Sequence, residues 1–268
     1  MITTNLLDLT IRAAIEAGEG IMTIYNDPNS DFGIERKSDN SPLTIADKKS
    51  NEIIMRFLDQ TEFPVLSEEG RSIPYAERKD WNTLWIVDPL DGTKEFIKKN
   101  GEFTVNIALV TNGKPVLGVI YLPVKRILYF GSADSGSYRL DIQAGEVQDE
   151  LSRILENAKK LPLAQEDRPF RIVASRSHCS DETKSFIEEL EKEHGKAELV
   201  SSGSSIKICM VAEGTADIYP RFAPTMEWDT AAGHAIALYA GKQIYKQNNT
   251  DPVIYNKEDL LNPYFIVR

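Results

Sequence analysis

The sequence predicts an α/β fold, with an α+β N-terminal half and an α/β C-terminal half. Three observations predict it. Leu7, Ile11, Ala14, Ile15, Gly18, Ile21 and Tyr25 recur at helical spacing. Between 64 and 140, short apolar runs alternate with turn signals, Asn112-Gly113 among them, as in an antiparallel sheet. Beyond 170, strand-like and helical segments alternate, as in a sheet covered by helices.

In chain order, residues 5–26 read as a long amphipathic helix, and 27–41 are polar and turn-rich. Thr44-Ile-Ala-Asp47 resembles a capping box with Asp in place of Glu, so a second helix starts there. Ile53, Ile54, Phe57 and Leu58 give that helix a buried face. Strands are expected at 64–67, 83–88, 103–111 and 115–122, the last two joined through Asn112-Gly113. Runs at 126–131 and 136–140 continue the sheet. The stretch 141–168 is polar, with a helix near 147–159, and marks a junction between domains at 1–160 and 161–268. A strand then spans Arg171 to Ala174, followed by a helix at 181–194, a strand at 197–201, a helix at 204–213, a strand at 215–220 and a helix at 229–240. No internal repeat or low-complexity segment interrupts this order.

Composition narrows the function classes. With 31 Lys+Arg against 41 Asp+Glu, the net charge is −10, which argues against a general binder of nucleic-acid polymers. Small phosphorylated compounds remain open, because a divalent cation brings its own positive charge. Cys179 and Cys209 lack metal-ligand spacing and read as free thiols of a reducing compartment, with a single disulfide as the alternative. The N-terminus has no secretory pattern, and no apolar stretch approaches the roughly 20 residues of a membrane span. The expected location is the cytoplasm. His178 and His194 sit in polar stretches and read as surface residues, while His234 lies on a different helical face from Asp229.

The most informative segment is Trp85-Ile-Val-Asp88-Pro-Leu-Asp91-Gly-Thr93. An apolar strand ends on Asp88, and Asp91 follows three residues later on a tight turn. Two carboxylates converging there suit a divalent cation such as magnesium, which prefers oxygen ligands. A plain turn is the alternative, since Asp, Pro and Gly are good turn residues. Two other acidic segments fit the same site: Glu68-Glu69 after the run Val65-Leu66, and Asp229 at a helix start.

Together, Asp88-Pro-Leu-Asp-Gly-Thr93, Ser67-Glu68-Glu69 and Trp228-Asp229-Thr-Ala-Ala-Gly233 closely resemble the inositol monophosphatase superfamily over nearly the whole chain. The segment Gly203-Ser-Ser-Ile-Lys207 through Tyr219-Pro-Arg221-Phe222 is further similar to the bacterial 3'(2'),5'-bisphosphate nucleotidases of that superfamily. The resemblance implies a layered αβαβα sandwich and a lithium-sensitive phosphomonoesterase with two magnesium ions, joined in some relatives by a third, weaker one near Glu68. Glu68, Asp88 and the Leu90 carbonyl would bind the first ion, and Asp88, Asp91 and Asp229 the second. Thr93 would orient the attacking water, with Asp47 bonded to its hydroxyl as remote base. The amides of Gly92 and Thr93 would face the phosphate if a helix begins at 93. The substrate side would also include Gly203, Ser204 and Ser205, with Lys207 and Arg221 as cationic contacts for a second phosphate.

The implied substrate is a small nucleotide bisphosphate, adenosine 3',5'-bisphosphate. Each residue also has a plainer alternative. Thr93, Asp47 and Asp229 could serve only helix ends. Lys207 could be a solvated lysine, Arg221 could cover apolar surface with its stem, and Lys37, at a family position near the metals, could be a loop lysine. Tyr219 and Phe222 read first as core. Inositol phosphates or fructose 1,6-bisphosphate are the alternative substrates, and a non-catalytic nucleotide or metal sensor is the alternative of another class. The resemblance also implies inner-membrane association for some relatives, though no amphipathic anchor is evident here, and the oligomeric state stays open.

Overall fold

A computed structural model describes residues 2–37, 41–143, 151–163, 168–174, 180–248 and 250–268. Helix α1 (Ile2–Asn26) opens the chain, and the short strands β1 (Glu35–Arg36) and β2 (Pro42–Leu43) pair across the polar stretch after it. Helix α2 (Ile45–Leu58) begins at the expected cap: the Thr44 side chain accepts from Ala46 N, and Asp47 reaches back to Thr44 N. Next come β3 (Val65–Ser67), α3 (Tyr75–Arg78), β4 (Thr83–Asp91), α4 (Thr93–Ile97), β5 (Thr104–Thr111), β6 (Lys114–Leu122), β7 (Ile127–Ser132), β8 (Gly136–Asp141), α5 (Leu151–Asn157) and β9 (Lys159–Lys160). Among the described residues, strands β3 to β9 form one seven-stranded sheet in sequence order. Only the β3–β4 pair is parallel. Asn112 and Gly113 carry positive φ in the β5–β6 turn, as the hairpin signal requires.

The remaining elements are β10 (Arg171–Ala174), α6 (Asp181–His194), β11 (Glu198–Ser201), α7 (Ile206–Glu213), β12 (Tyr219–Arg221), α8 (Glu227–Tyr239), β13 (Ile244–Lys246) and β14 (Phe265–Val267). Strands β10 and β11 are parallel, β12-β14-β13 are antiparallel, and a parallel bridge Ile172–Ile218 joins the two sets. Strands β13 and β14 have no counterpart in the sequence expectation. Three residues are too few to show a period. The expected helix at 147–159 is described from Leu151 on, and residues 144–150 lie outside the described residues.

Side-chain alternation turns these elements into five layers. Trp85, Val87, Val105, Ile107, Leu109, Val119 and Tyr121 face a core made with α1 and α2. Leu84, Ile86, Ala108, Val110, Ile120 and Leu122 face the opposite core, which holds α7 and α8. That second core is closed on its far side by Val173, Tyr219, Phe265 and Val267 of the second sheet. Ile172, Ile218 and Ile266 face outward to Ile187, Phe186 and Leu190 of α6. The order is therefore helices, sheet, helices, sheet, helix, the predicted αβαβα sandwich. Helix α8 lies so close to the first sheet that a Cβ on Gly118 would sit 2.3 Å from the Ala232 carbonyl. Among the described residues no helix is long and apolar enough to cross a membrane.

Candidate active site

The site begins with an irregularity in β4. Asp88 pairs with Asn106 and Asp91 with Thr104, so three steps on β4 oppose two on β5. In a regular strand residues three apart face opposite sides, and the extra residue of a bulge re-aims one of them. The sequence expectation ended the strand at Asp88 in a turn. The strand instead continues to Asp91, and the bulge brings the two carboxylates together. Pro89 fits there because it has no N–H to offer a ladder, and its carbonyl accepts Ser50 Oγ of α2 at 2.6 Å. The chain turns only at Gly92, with φ +100, where a Cβ would lie 3.0 Å from the Glu102 carbonyl.

Asp88, Asp91 and Asp229 each present a carboxylate oxygen, all within 4.8 Å of one another. Asp229 also caps α8, its Oδ2 accepting from Met226 N at 2.8 Å, so the cap and the cluster role coexist. Glu68 follows β3, and the parallel pairing places it beside Asp88: its N–H donates to Val87 O at 3.1 Å. Lys37 Nζ bridges Glu68 Oε1 at 2.8 Å and Glu69 Oε1 at 2.5 Å, which makes Lys37 part of the site rather than a free loop lysine.

Burial and mutual repulsion set the electrostatics. Asp88 is held well above the usual carboxylate range by burial, then by Glu68, Asp91 and Asp229. Asp229 is pushed up to about 8 by burial, with Asp91 next. Glu68 is raised by burial, opposed by Lys37. Such a group of oxygen donors, with more negative charge than Lys37 alone can neutralise, fits a hard divalent cation.

Asp47 is 1% exposed. Its Oδ2 accepts from Thr44 N at 2.7 Å and from Thr44 Oγ1 at 2.5 Å, and its Oδ1 accepts from Thr93 Oγ1 at 3.0 Å. Burial raises its pKa, against the hydrogen bonds from Thr44 and Thr93 and the charge of Lys37. The anticipated Asp47–Thr93 contact is thus present in addition to the helix cap. Thr93 Oγ1 also lies 3.4 Å from the Leu90 carbonyl.

A cleft of about 490 Å³ opens beside the cluster, between α4, residues 202–205, β12 and the start of α8. Lys207 and Arg221 line it. Lys207 is buried, not solvated: Nζ donates to Ser204 O at 2.6 Å and Ser202 O at 3.3 Å and lies 5.7 Å from the Tyr219 ring centre. Among the described residues no carboxylate is within ion-pair distance of it. Burial pushes its pKa down to about 8, against the pull of Asp91. Arg221 donates from Nη2 to Pro224 O at 3.2 Å, and its buried Nε has no hydrogen-bond partner among the described residues. Tyr219 is both core and cleft wall, whereas Phe222 packs against Phe186 and Tyr264.

Gly203, Ser204 and Ser205 also line the cleft. Gly203 N donates to Glu102 Oε2 at 2.8 Å. Ser205 is 3% exposed, and its polar atoms are committed to Asp91, Asp229 and Asn106. Asn106 and Glu102 were not anticipated. The available signal for Asn106 was a lone amide in the apolar run Val105 to Val110. His234 is buried away from the cluster, with Nδ1 2.9 Å from Tyr255 Oη and Nε2 against Gln243. His194 is exposed and stacks on Phe170, and Cys209 is a buried free thiol. His178 and Cys179 lie outside the described residues.

The profile of the inositol monophosphatase family matches residues 3–264. The chain is 42% identical over 265 residues to the 3'(2'),5'-bisphosphate nucleotidase CysQ of Shigella flexneri, covering 98% of this chain and 99% of that protein. The same identity and coverage hold for the protein of that name from Escherichia coli K12. The crystal structure of CysQ from Bacteroides thetaiotaomicron superposes with a TM-score of 0.91 at 58% identity, over 99% of this chain and 97% of that one. With a match over nearly its full length, and with the acidic segments of the resemblance meeting at one site, the chain belongs to the inositol monophosphatase family.

Proposed function

We propose that this chain is a phosphoric monoester hydrolase, a 3'(2'),5'-bisphosphate nucleotidase that converts adenosine 3',5'-bisphosphate to AMP and phosphate with magnesium. One observation carries the reading: a single cleft pairs the three-carboxylate cluster with two cations, the buried Lys207 and the partly buried Arg221. A substrate with two phosphates suits it, one phosphate at the cluster and the other at the cationic wall. The near-full-length similarity to proteins named as CysQ nucleotidases supports the same reading. In this reading residues 1–160 supply Glu68, Asp88, Leu90 and Asp91, and residues 161–268 supply Asp229 and the nucleotide contacts.

Glu68, Asp88 and the Leu90 carbonyl are the ligands assigned to one magnesium, and Asp88, Asp91 and Asp229 those assigned to a second. A third would lie near Glu68, where Lys37 shares the carboxylate. When bound, such cations neutralise the phosphate dianion and acidify a water. Thr93 donates its hydroxyl proton to Asp47 Oδ1, so its oxygen can accept one from the attacking water and aim it. Asp47, its charge disfavoured by burial, is the terminus of that proton relay. Water attacks phosphorus in line with the ribose 3'-oxygen, passing one proton through Thr93 to Asp47; the phosphorus–oxygen bond breaks, the ribose oxygen takes its proton from solvent, and Asp47 returns its own to solvent. The amides of Gly92 and Thr93 contact the phosphate oxygens. Gly203 and Ser204 edge the nucleotide, while Lys207 and Arg221 hold its 5'-phosphate.

The direct test is phosphate release from adenosine 3',5'-bisphosphate and inositol 1-phosphate, each with magnesium and with EDTA. Strong, magnesium-dependent preference for the nucleotide is expected. Preference for the inositol ester would overturn the substrate assignment, and silence on both would favour a sensor. Lys207→Ala and Arg221→Ala should each lower kcat/KM for the bisphosphate about tenfold to a hundredfold, since a hydrogen bond to a charged group is worth about 1.5–3 kcal/mol. Turnover of a simple aryl phosphate should change little. An equal loss on both substrates would remove the second-phosphate role.

A further inference from the structure

Building on the metal-dependent reading above, we propose that Ser205 and Asn106 are positioning residues that commit one oxygen of Asp91 to the protein, so that Asp91 offers the cation cluster a single oxygen. Asp91 Oδ2 receives Ser205 N at 2.6 Å, lies 2.7 Å from Ser205 Oγ, and has Asn106 Nδ2 at 3.4 Å. Asn106 Nδ2 also donates to Ser205 Oγ at 2.9 Å. With that donor already pointing into its oxygen, the Ser205 hydroxyl aims its one proton outward. Two acceptors are in reach, Asp91 Oδ2 and the Asp229 carbonyl at 2.8 Å. One hydroxyl therefore touches both carboxylate-bearing elements, β4 and the start of α8, and is itself held from β5.

Three features separate this arrangement from ordinary packing. Ser205 and Asn106 are 3% and 1% exposed, so water does not compete for these bonds. Ser204, immediately before, adopts φ +43, a sparsely populated conformation for a residue with a side chain. That turn lets the Ser205 amide and hydroxyl converge on the same oxygen. Asp229 is treated alike, because its Oδ2 is taken by Met226 N. Both flanking carboxylates thus have one oxygen tied to the protein, which leaves Oδ1 of each for the cluster. A free carboxylate could turn both oxygens to a cation or swing into the cleft. A magnesium ion, with its strict octahedral demand, is served better by ligands fixed one oxygen at a time. Partners behind a ligand typically alter metal affinity by about tenfold to a hundredfold when removed.

The test is a titration with magnesium chloride alone, without substrate, followed by calorimetry and by the melting temperature relative to EDTA. Ser205→Ala keeps the amide and removes the hydroxyl, and it should weaken magnesium binding about tenfold or more. Asn106→Ala should weaken it several-fold, and it decides the matter if Ser205→Ala gives no cooperative melt. In both variants turnover should recover as magnesium is raised to saturation. Unchanged magnesium affinity in both, with only the EDTA melting temperature lowered, would make the pair merely structural and overturn the proposal. A raised KM for the nucleotide at unchanged magnesium affinity would make Ser205 a substrate contact and overturn it equally. If the wild-type protein bound no magnesium, the metal reading itself would fall, an outcome distinct from equal binding by wild type and variants.

Discussion

Asp91 shows how much charge is concentrated at the site. After burial, its negative charge helps to raise the pKa of Asp88, Asp229 and Glu68. Asp91→Asn keeps the shape and removes the charge. Phosphate release should fall close to background, while the melting temperature in EDTA should stay level or rise as the repulsion is relieved. Wild-type turnover in this variant would remove Asp91 from the metal assignment. At this scale the sequence was legible where chemistry and position are local. Asp88, Asp91 and Asp229 could be picked out from their own segments because carboxylates beside Pro, Gly or a helix start stand out. Lys207 could not be settled that way. Whether a lysine is solvated or buried depends on what packs over it, here Tyr219 and the Ser202 and Ser204 carbonyls.

Among elements, α2 links stability to the site. Thr44 caps the helix and, through both N–H and hydroxyl, holds the Asp47 oxygen opposite the one that meets Thr93. Thr44→Ala should cost about 1 kcal/mol, the usual value of an N-cap. It should also lower kcat, because Asp47 loses a bond that orients it. Denaturant unfolding and steady-state kinetics on the same variant check both. A loss of stability without loss of turnover would make Asp47 a helix-capping residue and nothing more. The capping box was readable at 44–47 because its bonds span three residues. The bulge in β4 was not, because a bulge is defined by a partner strand and β5 supplies it.

For the molecule as a whole, the packing of α8 on the C-terminal segments makes stability depend on pH. His234 of α8 is buried against Tyr255 and Gln243, and burial pushes its pKa from 6.5 down to about 4. Between these values the unfolded chain binds a proton that the folded one does not. This contribution is therefore present in full above about pH 6.5 and lost as pH falls toward 4, by about 3 kcal/mol. The buried carboxylates work in the opposite direction in metal-free protein, since a raised folded pKa favours the fold at low pH. The comparison must then be with His234→Gln, in urea unfolding at pH 7 and pH 4.5. The wild type should lose stability relative to the variant over that interval. Parallel profiles would show that His234 does not titrate in this way.

The sequence by itself determined the main helices, the antiparallel run with its Asn112-Gly113 turn, the α/β character of the second half and the acidic segments. Each rests on periodicity, turn chemistry or capping, which act over a few residues. Tertiary structure alone decided that Asp88 and Asp91 share one side of a bulged strand and that α8 carries Asp229 to within 4.8 Å of them. It also decided that Lys207 is buried and that Ser205 spends its hydroxyl on Asp91 and Asp229. These depend on strand register and on layers closing over one another, and such long-range contacts leave no periodic trace in the chain.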